Sequence, residues 1–155
     1  MRQIVLVLAA MGLAGCGYAF SAGGGRLPAG AERIFVRPLE NRTTDAEAGA
    51  LMAAALRQEL ARRSADGDPG SPARLEGAVL TSTFTPSTGT TYLLTLQVEV
   101  RLVSGERQLA ETRRSRQEVY IAGTDPLESE GRRRTALRRA ALALARELVE
   151  SLEVP

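Results

Sequence analysis

Thr91-Tyr92-Leu93-Leu94-Thr95-Leu96-Gln97-Val98-Glu99-Val100-Arg101-Leu102-Val103 is the stretch on which the fold turns. Tyr92, Leu94, Leu96, Val98, Val100 and Leu102 recur at every second residue, while Thr95, Gln97, Glu99 and Arg101 fill the positions between them. Successive side chains of a strand point to opposite faces, so a period of two predicts an antiparallel strand that is dry on one face and wet on the other. Leu93 is the one mismatch. Ser104-Gly105-Glu106 is a compact turn, and Gln108 to Ile121 is the returning strand of a hairpin. The return is polar: Arg113, Arg114 and Arg116 crowd together with Glu111, Gln117 and Glu118 before Val119, Tyr120 and Ile121. Charge at that density protects an exposed sheet edge from pairing with other chains.

Upstream, Leu75, Gly77 and Val79 alternate with Glu76, Ala78 and Leu80, which predicts a strand running toward Phe84 and stopped by Pro86-Ser87-Thr88-Gly89. The segment before it, Asp66-Gly67-Asp68-Pro69-Gly70-Ser71-Pro72, is acidic but lacks the further oxygen ligands and closing glutamate of a calcium loop, and reads as a plain loop. Thr44-Asp45-Ala46-Glu47 has the spacing of a capping box, and Ala48, Leu51, Met52, Ala55, Leu56 and Leu60 form the apolar stripe of the helix expected after it. Arg33-Ile34-Phe35-Val36-Arg37 is a short apolar strand ended by Pro38, which has no backbone N–H to donate. Downstream, Asp125-Pro126-Leu127-Glu128 combines an aspartate cap, proline at the first helical position and glutamate in the first turn. The helix it opens carries Leu137, Ala141, Leu144, Leu148 and Leu152 at spacings of three and four. Glu128 with Arg132 and Glu130 with Arg134 stand four apart in the favourable acid-first order.

From Pro126 to Leu152 this helix would be roughly 40 Å long, and the strand from Thr91 to Val103 roughly 43 Å. The lengths match, so the helix can lie along the hairpin. The order strand, helix, strand, strand, strand, helix, with a single apolar sheet face, predicts an α+β two-layer sandwich: a four-stranded, mainly antiparallel sheet with two helices on one face. Leu96, Val98 and Val100 should face Leu56, Leu144 and Leu148, leaving Thr95, Gln97, Glu99 and Arg101 on the uncovered face.

The N-terminus sets the compartment. Arg2 is followed by Ile4-Val5-Leu6-Val7-Leu8, an apolar core too short to span a bilayer, and by the small residues Ala14-Gly15. Leu13-Ala14-Gly15-Cys16 resembles the lipobox of bacterial lipoproteins, in which the cysteine receives a diacylglycerol thioether and becomes the new N-terminus. Residues 1–15 are then a signal peptide, 16–30 a lipidated tether containing the flexible Ser21-Ala22-Gly23-Gly24-Gly25, and 31–155 one domain. Loss of Arg2 takes the formal charge from +2 to +1, too small an excess to argue for nucleic acid as a partner. The chain has no histidine and only one cysteine, so it cannot build a disulfide, a Cys/His metal site or a histidine-based triad. Isolated Glu99, Glu111 and Glu118 form no recognisable acid/base pair. The expectation is a non-enzyme without metal or cofactor.

Several features taken together resemble the lipopolysaccharide-assembly lipoprotein (LptE) family. They are Cys16-Gly17-Tyr18 at the mature start, Leu27-Pro28 before a strand, Ile34-Phe35-Val36-Arg37-Pro38-Leu39-Glu40-Asn41-Arg42-Thr43-Thr44 into the first helix, Leu75-Glu76-Gly77, the long alternating strand, and Ala136-Leu137-Arg138-Arg139-Ala140-Ala141 in the last helix. The resemblance implies a plug lodged in the lumen of the outer-membrane barrel LptD, lipid-anchored to the outer membrane and assisting insertion of lipopolysaccharide into the outer leaflet. Exported lipoproteins similar to LpoB and CsgG share the strand followed by Asn-Arg-Thr, and imply instead a periplasmic lipoprotein that regulates an enzyme or builds a secretion pore. For the lipid A phosphates the expected contacts are Arg101, Arg114 and Arg116, on the assumption that the hairpin register brings all three to one face. Guanidinium–phosphate bonds are charge-assisted and often bidentate; edge protection without a ligand is the competing reading of the same arginines.

Overall fold

The computed structural model describes residues 26–153, so the expected signal peptide and the expected lipidation site Cys16 lie outside the described residues. The elements in chain order are β1 (Ile34–Val36), β2 (Glu40–Asn41), α1 (Ala48–Arg62), β3 (Ala73–Pro86), β4 (Thr91–Ser104), β5 (Arg107–Ile121) and α2 (Pro126–Leu152). They form a mixed α+β structure of two layers, an open sheet in the order β1-β3-β4-β5 with both helices on one face. The expected first strand is split. Pro38 has no N–H for the ladder, so β1 breaks off and the chain rejoins β3 as the two-residue β2; both pieces run parallel to β3. The rest of the sheet is antiparallel.

The alternation of β4 is realised directly. Leu94, Leu96, Val98, Val100 and Leu102 are fully buried, and Met52, Leu56 and Leu60 of α1 and Leu137, Leu144 and Leu148 of α2 are buried against them in one cluster. In β3 the register slips by one at Leu80, between Val79 and Thr81. A bulge of this kind exchanges the faces, so the inward set passes from Leu75 and Val79 to Ser82 and Phe84.

The capping box at Thr44 does not form. Glu47 holds the cap position of α1 without a side-chain bond, and the local turn is closed by Asp45, whose Oδ1 accepts from the Glu47 N–H at 3.2 Å. The other Asp45 oxygen is taken by long-range partners. Arg133 Nη1 of α2 donates to it at 3.0 Å and Ser82 Oγ of β3 at 3.1 Å. The Arg133 guanidinium also lies 4.9 Å above the Phe84 ring, and its pKa is raised, chiefly by its bond to Glu130. At the other end of the helix pair Arg63, the C-cap of α1, joins Glu59, nearly buried, to Glu153 just beyond α2. Two ionic clamps thus fix the ends of the helices while apolar side chains fill the middle. The cap of α2 is as expected: Asp125 accepts from the Glu128 N–H at 2.9 Å with Pro126 in the first turn.

Truncating one of the fully buried leucines removes its burial and leaves a cavity. Leu96→Ala and Leu144→Ala should each cost about 2–5 kcal/mol, a fall in thermal midpoint on the order of 10 °C for a domain of this size. Calorimetry of the two variants checks this, and unchanged midpoints would refute the burial of one sheet face under two helices.

Candidate functional site

The uncovered sheet face is a lattice of opposite charges. Register places Glu76 of β3, Arg101 of β4 and Glu111 of β5 in one row, and Ala78, Glu99 and Arg113 in the next on that face. Opposite charges directly across a pair of strands stabilise the pairing. Arg113 Nε donates to Glu99 at 2.9 Å. Glu76 accepts from Arg74 Nε at 2.7 Å and from Arg37 Nη1 at 2.9 Å, and Arg42 donates to Glu40 at 2.7 Å. These bonds hold the carboxyls of Glu40, Glu76 and Glu99 below the ordinary glutamate value, through Arg42, through Arg74 with Arg37, and through Arg113 respectively.

Between β2, β3 and β4 the lattice opens into a depression of about 350 Å³ lined by Arg37, Glu40, Arg42, Glu76, Glu99 and Arg101. Gly77 lines it as well; a Cβ there would collide with the Glu99 carbonyl oxygen, so glycine is what allows β3 and β4 to approach so closely. Arg101 is exposed and forms no ion pair among the described residues. With its three arginines and three glutamates the depression offers an anion a fork of donors, while Arg37 and Arg42 remain occupied by carboxylates.

The three arginines expected to act together do not meet. Arg101 stands opposite Glu111 on the open face, whereas Arg114 stands opposite Val98 and Arg116 opposite Leu96, on the face that carries α2. The cause is one residue. From the turn, Ser104 pairs with Arg107 and Val103 with Gln108, but Leu102 pairs with Ala110, so Leu109 is a bulge that exchanges the two faces of β5 beyond it. Without it Arg114 and Arg116 would join Arg101. Arg116 instead donates from Nη1 to Glu147 of α2 at 2.8 Å, and its Nε is buried without a partner. Arg114 is exposed, with Nη1 on the Arg113 carbonyl at 3.1 Å. The residue that shares Arg101's face is Arg113, which pairing with Glu99 already neutralises. Arg37 and Arg42 went unnoticed in the sequence because they lie in and after the first strand; the Arg-Pro-Leu-Glu-Asn-Arg run holds the only local signal, two cations flanking a proline-broken strand.

Residues 31–152 match the model of LptE, a family described by lipopolysaccharide assembly. No curated protein matches the chain. Among solved structures, the fold is similar to a putative lipoprotein from Caulobacter crescentus CB15, at 18% identity and a TM-score of 0.61 over 79% of this chain and 89% of that one. It is also similar to PelC from Paraburkholderia phytofirmans, solved as a dodecamer, at 18% identity and a TM-score of 0.62 over 85% and 94%. Rare lipoprotein B from Shewanella oneidensis is similar at 13% identity and a TM-score of 0.50 over 77% and 93%. At these identities the likenesses show the fold.

The lowered carboxyls give the lattice a definite pH response. A carboxyl whose folded pKa lies below its unfolded value, about 4.3 for glutamate, stabilises fully above that value and loses its contribution as pH falls through the folded pKa. With no histidine in the chain, nothing of that kind titrates between about pH 5 and 8. The thermal midpoint should therefore be flat over that range and fall only below about pH 4. A midpoint that moves by more than about 3 °C between pH 5 and 8 would place the pH dependence in some other group.

Proposed function

The chain belongs to LptE, the lipopolysaccharide-assembly family, and from that premise we propose that it is an outer-membrane lipoprotein that plugs an LptD-like β-barrel and assists the passage of lipopolysaccharide to the outer leaflet. The observation that carries the reading is the asymmetry of the sheet. One face is sealed by helices, and the other presents paired arginines and glutamates over the whole width of β3, β4 and β5. The lumen of a large barrel is polar and is commonly filled by a plug, so a charged, internally neutralised face suits it. No helix among the described residues is long and apolar enough to cross a membrane, and the anchor in this reading is the lipidated Cys16. Gly30 lies beside Ser104 at the β4–β5 turn, so the described chain enters the domain at that end, opposite the β3–β4 turn.

For the lipid A phosphates the reading assigns Arg101, with the depression beside it, as the contact on the open face. Arg114 and Arg116 would form a separate contact at the sheet edge. A second reading, a periplasmic lipoprotein of LpoB or CsgG type that regulates an enzyme or builds a secretion pore, draws support from the fold likeness to PelC, a protein solved as a dodecamer. The native mass of the detergent-solubilised protein separates the two, since a ring of many copies and a one-to-one complex with a barrel differ in both mass and composition.

A tagged chain should bring down a β-barrel of large apparent mass. Cys16→Ser should release the protein to the soluble periplasmic fraction when the barrel is absent, because two acyl chains anchor stably where none remain. Arg101→Glu should leave folding and copurification intact while weakening lipopolysaccharide binding about tenfold or more at low salt, the effect of losing a charge-assisted bond of about 1.5–3 kcal/mol. Arg114→Glu with Arg116→Glu, assayed in the same way, reports on the edge contact. Absence of any barrel from the purified material would sink the plug reading, and unchanged lipopolysaccharide binding in both sets of variants would leave the arginines purely structural.

A further inference from the structure

β5 has β4 on one side and no strand on the other among the described residues. The Ala122 N–H donates inward to the Thr90 carbonyl at 2.8 Å. Residues that bond to a given neighbour alternate along an antiparallel strand. Beyond the bulge at Leu109, therefore, even-numbered residues of β5 bond to β4 and odd-numbered ones turn N–H and C=O off the sheet. Two of the outward carbonyls are met by side chains, that of Arg113 by Arg114 at 3.1 Å and that of Ile121 by Arg132 at 3.3 Å. Between them the outward backbone groups of Ser115, Gln117 and Val119 have no protein partner among the described residues.

Exposed edges are normally blunted by charge, proline or a bulge, or covered by another element. Here Ser115, Gln117, Val119 and Ile121 are all uncharged and exposed, Val119 at 58% and Ile121 at 56%. On the α2 side of the same strand Arg116 and Glu118 carry opposite signs two residues apart, held by Glu147 at 2.8 Å and by Arg139 at 3.2 Å. Arg114 is exposed and forms no ion pair among the described residues. A groove of about 750 Å³ separates this end of β5 from the first turns of α2. Its two arginines, Arg132 and Arg139, are paired with Glu128 and Glu118, so its rim is neutral and selects neither sign of charge. A Cβ on Gly131, which lines the groove, would meet nothing within 4 Å, so the space beside Tyr120 stays open. Whatever covers this edge is therefore selected by β5 itself.

We propose that the free edge of β5 is a self-association surface, through which two copies of this chain join their sheets by antiparallel β5 strands about a two-fold axis at Gln117. The register follows from charge. With the axis at Gln117, Ser115 stands opposite the second copy's Val119, Arg113 opposite its Ile121, Arg114 opposite its Tyr120 and Arg116 opposite its Glu118. Moving the axis by one residue sets either Arg116 or Glu118 against its like, and like charges directly across a strand pair repel. Moving it by two toward the β4–β5 turn sets Arg114 against Arg116. Moving it by two the other way shortens the paired strand to 117–121 and leaves no pair of opposite charges. At Gln117 the arginines and glutamates form an alternating square, with unlike charges along and across the strands and like charges only on the diagonals. Odd residues then stand opposite odd residues, so the outward N–H and C=O groups of Ser115, Gln117 and Val119 all find backbone partners. The aliphatic stem of Arg113 covers the second copy's Ile121, and Arg114 enters the space that Gly131 leaves open. An acyl chain would fill the groove but leave the edge N–H groups unpaired. The pairing concerns the chain outside a barrel and does not rest on the plug reading.

The full-length protein, purified without a barrel, is measured by sedimentation in density-matched detergent. Its mass should rise with concentration from one copy to two, because one strand pair is a small interface and a two-fold axis closes the assembly. Gln117→Cys should give a disulfide-linked pair under mild oxidation, since hydrogen-bonded residues across an antiparallel pair stand about 5.5 Å apart at Cα, within reach of a disulfide; the parent, with Cys16 alone, should not. Ser115→Cys should link to Val119→Cys when the two are mixed, and neither should link to itself. Gln117→Pro removes an outward N–H that the fold does not use, at an edge position where proline is tolerated. It should keep the parent's thermal midpoint and stay a single copy. If it does not fold, Gln117→Glu places two carboxylates on the axis and should lose the pair at low salt and regain it at high salt. A single-copy mass at every concentration overturns the proposal, as do a ring of many copies, absence of the Gln117→Cys link, or a pair that survives in folded Gln117→Pro. None of these measurements needs a barrel, so their failure is separate from a failure of the copurification.

Discussion

A sheet in water can hide only one of its faces under two helices, and the rest of this structure follows from which face β4 makes dry. Its five fully buried residues, Leu94 to Leu102, define the plane on which α1 and α2 settle. The helices supply Met52, Leu56 and Leu60 from one side and Leu137, Leu144 and Leu148 from the other. Apolar burial is non-directional, so it sets that the helices cover the sheet but not where along it they stop. The ionic clamps provide that information: Asp45 with Arg133 and Ser82 at one end, Arg63 with Glu59 and Glu153 at the other. Removing either partner of the Asp45–Arg133 pair would leave a charge facing a largely buried position, which is more costly than never having placed one there.

The same alternation explains what could be read from the sequence and what could not. β4 and the second half of α2 were legible because each has a strongly apolar face with the period of its element. β5 was legible as a strand but not in its facing. Its residues are polar on both sides of the chain, so no burial pattern distinguishes Arg114 inward from Arg114 outward, and a single extra residue at Leu109 decided the matter. The bulge at Leu80 was hidden for the opposite reason, since Val79 and Leu80 are both apolar and either could have faced the core. The capping box failed because its spacing is a local rule, whereas Asp45 is held by partners 37 and 88 residues away in sequence. Of the site, Arg101 was correctly placed on the open face by alternation alone, while the depression it borders depends on β2, a two-residue element with no pattern to find.

These misplacements share a direction. Wherever an element has a burial preference, its register is determined and side chains can be assigned to faces from the sequence. Wherever it has none, the register is free to be set by bulges and long-range ion pairs, and those are also the places where charge accumulates. The open face shows the result: Arg113 answers Glu99, Arg37 and Arg74 answer Glu76, and Arg42 answers Glu40. Such a surface is rich in charge yet close to neutral, which suits a water-lined cavity better than a strongly charged membrane surface or nucleic acid.

The polarity of the molecule along the strands then matters as much as the polarity between its faces. Gly30, near the start of the described residues, lies beside Ser104 at the turn between β4 and β5. β5 begins at that end with Arg107, and its exposed large apolar side chains come only at Val119 and Ile121, beside the start of α2, where Leu127 is 86% exposed. A strand of 14 residues, the length of β4, separates the two ends by about 46 Å. Charge therefore covers β5 along most of its length and stops short of Val119 and Ile121, so the two ends of the hairpin differ in chemistry as much as the two faces of the sheet do.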